Sequence, residues 1–396
     1  MSAPDAPEPA PHDATPPELG PRILFFSGGT ALRRLSQCLK HHTHNSVHLI
    51  TPFDSGGSSA TLRRAFTMPA VGDIRNRLLA LADETLVPAA VFAVWQKRLP
   101  ATGERDALLQ ELYDLAADRH PLWQGVPESF GEIMRQHLRH FLERMPETFD
   151  PRLAIVGNLL LAGGYVRHGK NLEPVLTLMQ RLLHVRGTVL PCINESLHLA
   201  AELRNGDIVV GQHHITGHGG SPLPAPIKRI FLSVHERPKL HPERAPCTPH
   251  IASQAATHIR TADLVCFPMG SFYSSVLANL LPVGAGRSVA QSPCPKCYIP
   301  NTGTDPEQMG LSVAEGVRIL LEMLRRDAPD MPTARLLNHV LVDTRNGDYP
   351  GGIDAEGIAA QGVELLDMPL VEPNTALHDP EAVSRVLLRL TRGSAR

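Results

Sequence analysis

The stretch that decides the fold is RILFFSGGTALRRLSQCLK, residues 22–40. Its first part, Arg22–Ser27, is a short apolar run typical of a strand buried on both faces of a parallel sheet. A turn at Gly28–Thr30 follows, and then leucines recur at helical spacing. The next apolar run is Val47–Phe53. Strand, turn, helix and strand in this order predict the opening of a doubly wound α/β fold.

The rest of the chain continues this pattern with two additions. The pattern of residues 87–150 indicates only helices, separated by prolines, so we expect a helical insertion there. Asn205-Gly206, between two apolar runs, predicts a β-hairpin with a type I′ turn, in which both central residues have positive φ. The other predicted strands are Thr188–Ile193, Arg229–Val234, Ala262–Phe267 and Leu337–Asp343. The predicted fold class is therefore α/β, Rossmann-like and doubly wound, with a mostly parallel sheet, a helical insertion and a β-hairpin.

Composition divides the chain into three parts and excludes several classes of protein. Residues 1–21 are rich in proline, alanine and acid and predict a disordered tail. Residues 22–345 carry the α/β pattern, and residues 346–396 are expected to form a C-terminal extension. A net charge of −2 argues against a nucleic-acid partner.

The cysteines and the apolar runs indicate where the protein works. Six cysteines in 396 residues do not predict a disulfide framework. The N-terminus lacks a signal peptide, and no apolar run approaches the roughly 20 residues that span a bilayer. We therefore expect a cytoplasmic protein with no membrane partner.

Three loops contain residues suited to binding phosphate. The first is Gly28–Thr30, where glycines let the backbone approach a phosphate at a helix start. The alternative is a plain tight turn, and the missing third glycine of GxGxxG excludes the standard NAD fingerprint. The second loop offers glycine amides and serine hydroxyls, together with a carboxylate placed 26 residues after Gly28 to meet a ribose or Mg²⁺. Its residues are Asp54, Ser55, Gly56, Gly57, Ser58 and Ser59.

The alternative for the second loop is a Ser/Gly turn with Asp54 as a helix cap. The third loop is Gly72–Asn76, in which Asp73 is expected to cap a helix. Ile74, Leu78 and Leu81 would form the buried stripe of that helix, which leaves Arg75 and Asn76 on the other side, either to meet phosphate or in solvent. Ligands of open α/β sheets bind beyond the carboxyl ends of the strands. Three such loops together therefore favour a binding site.

Other candidate sites have simpler explanations. Cys294–Cys297 is a single CxxC pair, which predicts a loop with two free thiols more than a zinc site. His213–His218 predicts a polar loop near the cleft more than a metal site. The histidines of His41–His44 suit the negative end of a helix. Ser271 is not a nucleophile elbow, because the GxSxG pattern is absent. Gly270-Ser271 before a helix instead predicts another anion-facing turn.

The motifs together resemble the CofD/YvcK superfamily. Its YvcK branch has a GGTG-like loop, a DDGGSSG segment and a PGDIRN-like segment, which match GGTA (Gly28–Ala31), DSGGSSA (Asp54–Ala60) and VGDIRN (Val71–Asn76) here. The resemblance continues at Gly157-Asn158-Leu159 and at MGSFYSSVLANLL, residues 269–281. It spans most of residues 22–345. Ser55 stands where the family has a second acidic residue, which leaves Asp54 as the carboxylate for Mg²⁺.

The resemblance implies two kinds of function. CofD-like enzymes move a phospho-lactyl or phospho-enolpyruvyl group from a guanosine diphosphate donor to a deazaflavin with Mg²⁺. YvcK-like proteins bind a nucleotide sugar such as UDP-N-acetylglucosamine and act as regulators without established catalysis. The sequence leaves open which applies, whether the protein is an enzyme, and whether it is a homo-oligomer.

On this resemblance Asp54 would be the catalytic residue and the metal ligand. The expected nucleotide-binding and phosphate-binding residues are Gly28, Gly29, Thr30, Ser55, Gly56, Gly57, Ser58, Ser59, Asp73, Arg75, Asn76, Asn158, Gly270 and Ser271.

Overall fold

The centre of the protein is a sheet of seven parallel strands in the order β10-β9-β8-β7-β1-β2-β3. The computed structural model describes residues 15–217, 222–235 and 247–392. A smaller antiparallel sheet has the order β5-β4-β6. The strands are β1 Ile23–Ser27, β2 Val47–Ile50, β3 Thr188–Pro191, β4 His198–Leu203, β5 Ile208–Val210, β6 Ile227–Ser233, β7 Leu264–Phe267, β8 Lys296–Tyr298, β9 His339–Val342 and β10 Glu364–Asp367.

Helices cover both faces of the large sheet. No helix in the described ranges combines the length and the apolar character needed to cross a bilayer. The α-helices are α1 Arg33–Leu39, α2 Gly57–Phe66, α3 Gly72–Leu81, α4 Ala89–Gln96, α5 Arg105–Ala116, α6 Glu128–Arg144, α7 Val156–Arg167, α8 Glu173–Leu182, α9 Gln212–Ile215, α10 Ser253–Arg260, α11 Ala285–Gln291, α12 Val313–Arg325, α13 Ala355–Ala360 and α14 Pro380–Arg392. Shorter helical turns are Pro17–Leu19, Pro121–Trp123, Phe272–Val276 (a π-helix), Leu277–Leu280 and Thr333–Arg335.

Strand β1 shows why this sheet must be covered on both faces. All five of its residues are buried. Because side chains alternate along a strand, Leu24 and Phe26 point into one hydrophobic core while Ile23 and Phe25 point into another. The Phe26 and Phe267 rings stack with centroids 5.1 Å apart. The predicted continuous apolar run and mostly parallel sheet are therefore confirmed.

A third core lies within the helical layer formed by α4, α5, α6 and α7. The closest approach in this layer is between α6 and α7 at Gly163, where an added Cβ would overlap the backbone oxygen of His137. A backbone atom held in a helix cannot move aside as a flexible side chain can. Glycine at this position therefore fixes how near the two helices come.

We expect Gly163→Ala to lower the free energy of unfolding by about 1.5 kcal/mol, because the methyl group must push α6 and α7 apart. The matched control is Gly316→Ala in α12, where the added Cβ would lie 3.4 Å from the Tyr298 hydroxyl and meet nothing closer. Alanine is the better helix former, so the control should be neutral or slightly stabilising. Urea unfolding measures both, and equal effects would contradict the proposed close contact.

The hairpin is confirmed, but its turn differs from the prediction. β4 and β5 pair antiparallel around Asn205-Gly206. Gly206 has φ +88°, whereas Asn205 is not among the residues with positive φ, so the turn is not type I′. The Leu203 amide donates to Asp207 O at 2.8 Å, which closes a three-residue loop that needs positive φ only at its last residue.

Three further expectations need correction. Cys294 and Cys297 are free thiols, as predicted, but both are buried and Cys297 lies in strand β8 of the large sheet and not in a loop. Order begins before Arg22, because the His44 amide donates to Pro17 O at 2.8 Å, while residues 1–14 lie outside the described part. The C-terminal segment is integral to the fold, because β10 extends the large sheet and α14 packs against α1.

Candidate functional site

The largest group of predicted site residues meets in a cavity of about 290 Å³ at the carboxyl edge of the large sheet. We call it the central cavity. The chain runs from β1 outward to β2 and β3, and later from β7 outward to β8, β9 and β10. The cavity therefore lies at the point where the strand order reverses, the usual ligand position in such sheets. Its lining residues are Ser27, Gly28, Gly29, Thr30, Ala31, Leu32, Asp54, Gly56, Asp73, Gln212, His213, Thr216, Met269, Gly270, Ser271, Ser275 and Val276.

The loop after β1 presents its amides to the cavity because Arg77 holds its carbonyl groups on the other side. The buried Arg77 guanidinium donates to Gly28 O at 3.3 Å and to Gly29 O at 3.1 Å. In a planar trans peptide the carbonyl and the following N–H point in opposite directions. The amides of Gly29 and Thr30 therefore point away from Arg77, and neither has a protein partner among the described residues.

The two glycines of this loop pack closely against neighbouring polar side chains. A Cβ on Gly28 would overlap the Ser275 hydroxyl, and one on Gly29 would lie 2.9 Å from Asp73 Oδ1. Arg77 also donates to the Ser36 hydroxyl in α1, and burial lowers the pKa of Arg77 to about 10. Helix α3, helix α1 and the loop are thus held together by one buried cation.

The loop after β2 is divided between the cavity and the protein interior. Asp54 and Gly56 line the cavity, and Asp54 Oδ1 accepts from the Gly56 amide at 3.0 Å. The Ser55 hydroxyl instead lies 2.7 Å from His213 Nδ1, and the Ser58 hydroxyl accepts from the Ile155 amide at 3.3 Å. Ser59 packs against Gly72, and Gly57 does not line the cavity.

Two carboxylates, Asp54 and Asp73, face the central cavity. Helix α3 begins at Gly72 with Val71 as its N-cap, so Asp73 is not the predicted cap. Burial, with the neighbouring charge of Asp54, raises the pKa of Asp73 to about 7. One carboxyl group that exchanges a proton near neutral pH therefore stands beside a second one.

Arg75 lies behind the cavity wall and not in it. Its side chain is buried, donating to Asn158 Oδ1 at 3.1 Å and to Asn76 Oδ1 at 2.6 Å. Burial is the main cause that lowers the pKa of Arg75 to about 10. The structure therefore contradicts the solvated arginine considered above, and it places Asn76, Asn158 and Arg75 together as a support for α3.

The turn at Gly270-Ser271 lines the cavity, but nearby side chains already occupy its amides. Asn301 accepts from the Gly270 amide at 2.6 Å and donates to the Gly270 carbonyl at the same distance. The buried Glu307 accepts from the amides of Tyr273 and Ser274, at 2.8 and 2.9 Å. The amides of Gly270, Tyr273 and Ser274 are therefore unavailable to an anion, and the anion-facing role stays a prediction for the Ser271 amide.

Two buried polar atoms in the cavity wall have no hydrogen-bond partner among the described residues. They are Ser27 Oγ and Gln212 Oε1, on side chains that are 3% and 9% exposed. Buried polar atoms normally have partners, so these two are available to a ligand. His213 also lines the cavity, as expected of a polar loop near the cleft, whereas His218 lies outside the described residues.

Arg77 is the most important residue that sequence reasoning missed. The signal was present, since Arg77 lies three residues after Ile74 and four before Leu81, on the stripe predicted to be buried. Ser27, Gln212 and Ser275 gave no such signal, because small polar residues at the ends of strands and helices are common.

The metal-ligand candidates are few. In the cavity, Asp54 and Asp73 supply the carboxylates. Elsewhere in the described ranges, one trio of His, Cys and acidic side chains is close enough to share an ion, and it consists of Cys38, His42 and Glu381 at the contact of α1 with α14. This trio does not line the central cavity. Magnesium prefers oxygen ligands, so the cavity is the place where it would fit.

This fold and cavity define a Rossmann-like protein with a cavity at the strand-order reversal. The chain belongs to the CofD family, because the sequence model of that family, described as 2-phospho-L-lactate transferase CofD, matches residues 23–371. The resemblance seen in the motifs is thereby confirmed.

The chain is similar to several proteins named gluconeogenesis factor. The chain is 29% identical over 383 residues to the gluconeogenesis factor of Bacillus subtilis, covering 94% of this chain and 98% of that protein. It is 28% identical to a putative gluconeogenesis factor of Nostoc sp., covering 95% and 70% of the two chains. The crystal structure of a UPF0052 family member from Bacillus halodurans has the same fold, with a TM-score of 0.68 at 24% identity, over 93% of this chain and 99% of that one.

Proposed function

We propose that the protein binds the diphosphate of a nucleotide or a nucleotide sugar in the central cavity. The observation that carries the proposal is the orientation of the Gly29 and Thr30 amides, which face the cavity because Arg77 holds the carbonyl groups of the loop. Backbone amides that converge in this way stabilise phosphate oxygens. The unpartnered atoms of Ser27 and Gln212 offer further polar contacts to the ligand.

The residues also fit a Mg²⁺ ion beside the diphosphate. Mg²⁺ is usually held by one or two carboxylates together with phosphate oxygens and water. Asp54 would be the protein ligand of the ion. Its Oδ1 already accepts a hydrogen bond from the Gly56 amide, so its Oδ2, which lies on the side of Gly72, would be the oxygen that binds the metal. When bound, the ion would neutralise charge on the phosphates.

A transfer reaction is supported by the proton exchange expected at Asp73. The acceptor hydroxyl would attack the distal phosphorus, the bridging P–O bond would break, and a nucleoside monophosphate would leave. Asp73, with a pKa of about 7, would take the proton of the attacking hydroxyl. The loop amides would hold the phosphate oxygens in line for this attack. The family description, 2-phospho-L-lactate transferase, supports a phospho-lactyl donor, while the guanosine base and the phospho-enolpyruvyl alternative are implied only by the resemblance of the motifs.

A regulatory function without catalysis is the second candidate. It is supported by the relatives named gluconeogenesis factor, which match nearly the whole chain. In that case the protein would hold a nucleotide sugar such as UDP-N-acetylglucosamine, and the cavity would serve recognition only.

Titration calorimetry separates the two candidates. GDP and UDP-N-acetylglucosamine would each be titrated with Mg²⁺ and with EDTA, on the wild type and on Asp54→Asn. Guanosine preference with metal dependence supports transfer, and Asp54→Asn should then weaken binding roughly tenfold, or about 1.4 kcal/mol, only when Mg²⁺ is present. Metal-independent binding of the uridine sugar supports the regulator. Binding of neither ligand would reject the proposed function.

A further inference from the structure

A smaller cavity of about 170 Å³ continues from the central cavity towards the C-terminal segment. We call it the side groove. Ala31 and Met269 line both cavities, so the side groove adjoins the central cavity at these two residues. Ala31 directly follows the loop whose amides face the cavity. A group one sugar away from the diphosphate would therefore enter this groove.

The walls of the side groove are mainly apolar and come from separate parts of the chain. Leu35 belongs to α1, Met269 follows β7, and Leu377 and Val383 belong to the C-terminal segment. Leu377 is 54% exposed, so its apolar side chain is open to a ligand in the groove. Such a surface suits the flat face of an aromatic ring and not a phosphate or a free sugar.

Most polar groups of the side groove are already paired. Arg34 forms an ion pair with Glu372 at 2.5 Å, and the Thr302 hydroxyl donates to Ala376 O at 2.7 Å. His378 Nε2 differs, because it is buried and has no partner among the described residues. Burial lowers the pKa of His378 to about 4, so the ring is neutral at physiological pH. The groove thus offers one neutral hydrogen-bonding atom and little unpaired charge.

The opposite side of the central cavity has a different character. A second neighbouring cavity, of about 310 Å³, adjoins it at His213 and is lined by Arg63, Arg64, His198 and His214. Arginine side chains match phosphate and carboxylate oxygens, so this cavity suits an anionic group, whereas the side groove has few charged side chains. The apolar side groove is therefore the better fit for a heterocyclic ring.

We propose that the side groove is the nucleobase subsite of this protein, with the base between Met269 and Leu377 and its edge hydrogen-bonded to His378. This inference rests on the proposed diphosphate site. Residues 376–383 lie beyond the part of the chain matched by the family model, so membership of the family does not by itself fix the base. The C-terminal segment would then set which nucleotide this protein prefers.

The test compares inorganic pyrophosphate with UDP and GDP by titration calorimetry, on the wild type, His378→Ala and Leu377→Asp. Pyrophosphate reports on the central cavity alone. We expect both variants to weaken the preferred nucleoside diphosphate about tenfold while pyrophosphate stays within about twofold. His378→Ala removes the partner of the base edge, and Leu377→Asp places a charge against the face of the base. The matched control is Leu86→Asp, an equally exposed leucine (57%) away from both cavities, which should change neither ligand.

Each other outcome overturns the inference. Unchanged nucleotide affinity in both variants would place the base elsewhere. Equal loss of pyrophosphate and nucleotide, with melting temperatures unchanged, would assign these residues to the phosphates. An alkyl phosphate that binds more tightly than any nucleotide, and loses that advantage in Leu377→Asp, would assign the groove to an apolar chain. If the wild type binds neither pyrophosphate nor nucleotide, the proposed function itself fails, which is distinct from these three results.

Discussion

Asp73→Asn is expected to make the metal-free protein more stable by about 2 to 3 kcal/mol at pH 8. The pKa of Asp73 is about 7 in the folded protein, against 3.8 for an ordinary aspartate. The folded state therefore holds a proton that the unfolded state releases, and stability falls as the pH rises between these values. The full pKa shift of Asp73 corresponds to a loss of roughly 4 kcal/mol in the free energy of unfolding. Because Asp73 faces the open cavity, solvent reduces this loss.

Urea unfolding in EDTA at pH 4.5, 6 and 8 measures this effect. The advantage of Asp73→Asn should be small at pH 4.5 and grow steadily towards pH 8. Asp330→Asn is the control, since Asp330 is exposed and its replacement should leave the pH profile unchanged. An advantage that does not change with pH would show that Asp73 is ionised throughout and cannot serve as the proton acceptor. A residue such as Asp73 that lowers stability is expected at a functional site, because function often requires a group that the fold alone would not favour.

Arg77→Met is expected to weaken ligand binding about a hundredfold, equivalent to about 2.7 kcal/mol. Without the guanidinium, the carbonyl groups of Gly28 and Gly29 lose their partner, and the loop is free to turn its amides away from the cavity. Binding becomes weaker because part of the binding free energy is then used to order the loop and its amide donors. The free energy of unfolding should also fall by about 3 kcal/mol.

Arg75→Met separates the binding effect from the stability effect. Arg75 is also a buried arginine of α3, but its guanidinium holds side-chain amides and no atom of the glycine loop. Its replacement should destabilise the protein to a similar extent and change affinity far less. Calorimetry with pyrophosphate, with urea unfolding in parallel, gives both quantities. If Arg75→Met weakens binding more than Arg77→Met does, Arg75 contacts the phosphate, as the sequence alone suggested.

The fold could be predicted from the sequence where the pattern is local. β1 and β2 are continuous apolar runs, and the α3 stripe recurs at helical spacing, so each follows from a few neighbouring residues. β8 could not be found in this way, because three residues that include a lysine do not form an apolar run. β10 is likewise only partly buried, and only its pairing with β9 makes it a strand.

The site could be predicted as far as backbone loops determine it. The glycine loop, Asp54 and Asp73 do meet in one cavity, as their positions at strand ends and at a helix start suggested. The sequence could not show that the Tyr273 and Ser274 amides already have an acceptor. That acceptor is Glu307, which lies more than thirty residues away in sequence. Ser55 and Ser58 were misjudged for the same reason, since their partners His213 and Ile155 are distant along the chain.

The central claim is that the Gly29 and Thr30 amides bind a diphosphate in the cavity that Asp54 and Asp73 share. A crystal structure of the protein with a nucleoside diphosphate and Mg²⁺ tests it most directly, through the positions of the two phosphorus atoms. We expect phosphate oxygens to accept hydrogen bonds from these two amides, with the Arg77 contacts to the loop unchanged. Phosphorus atoms located in another cavity, or a loop whose carbonyl groups face the ligand, would contradict it.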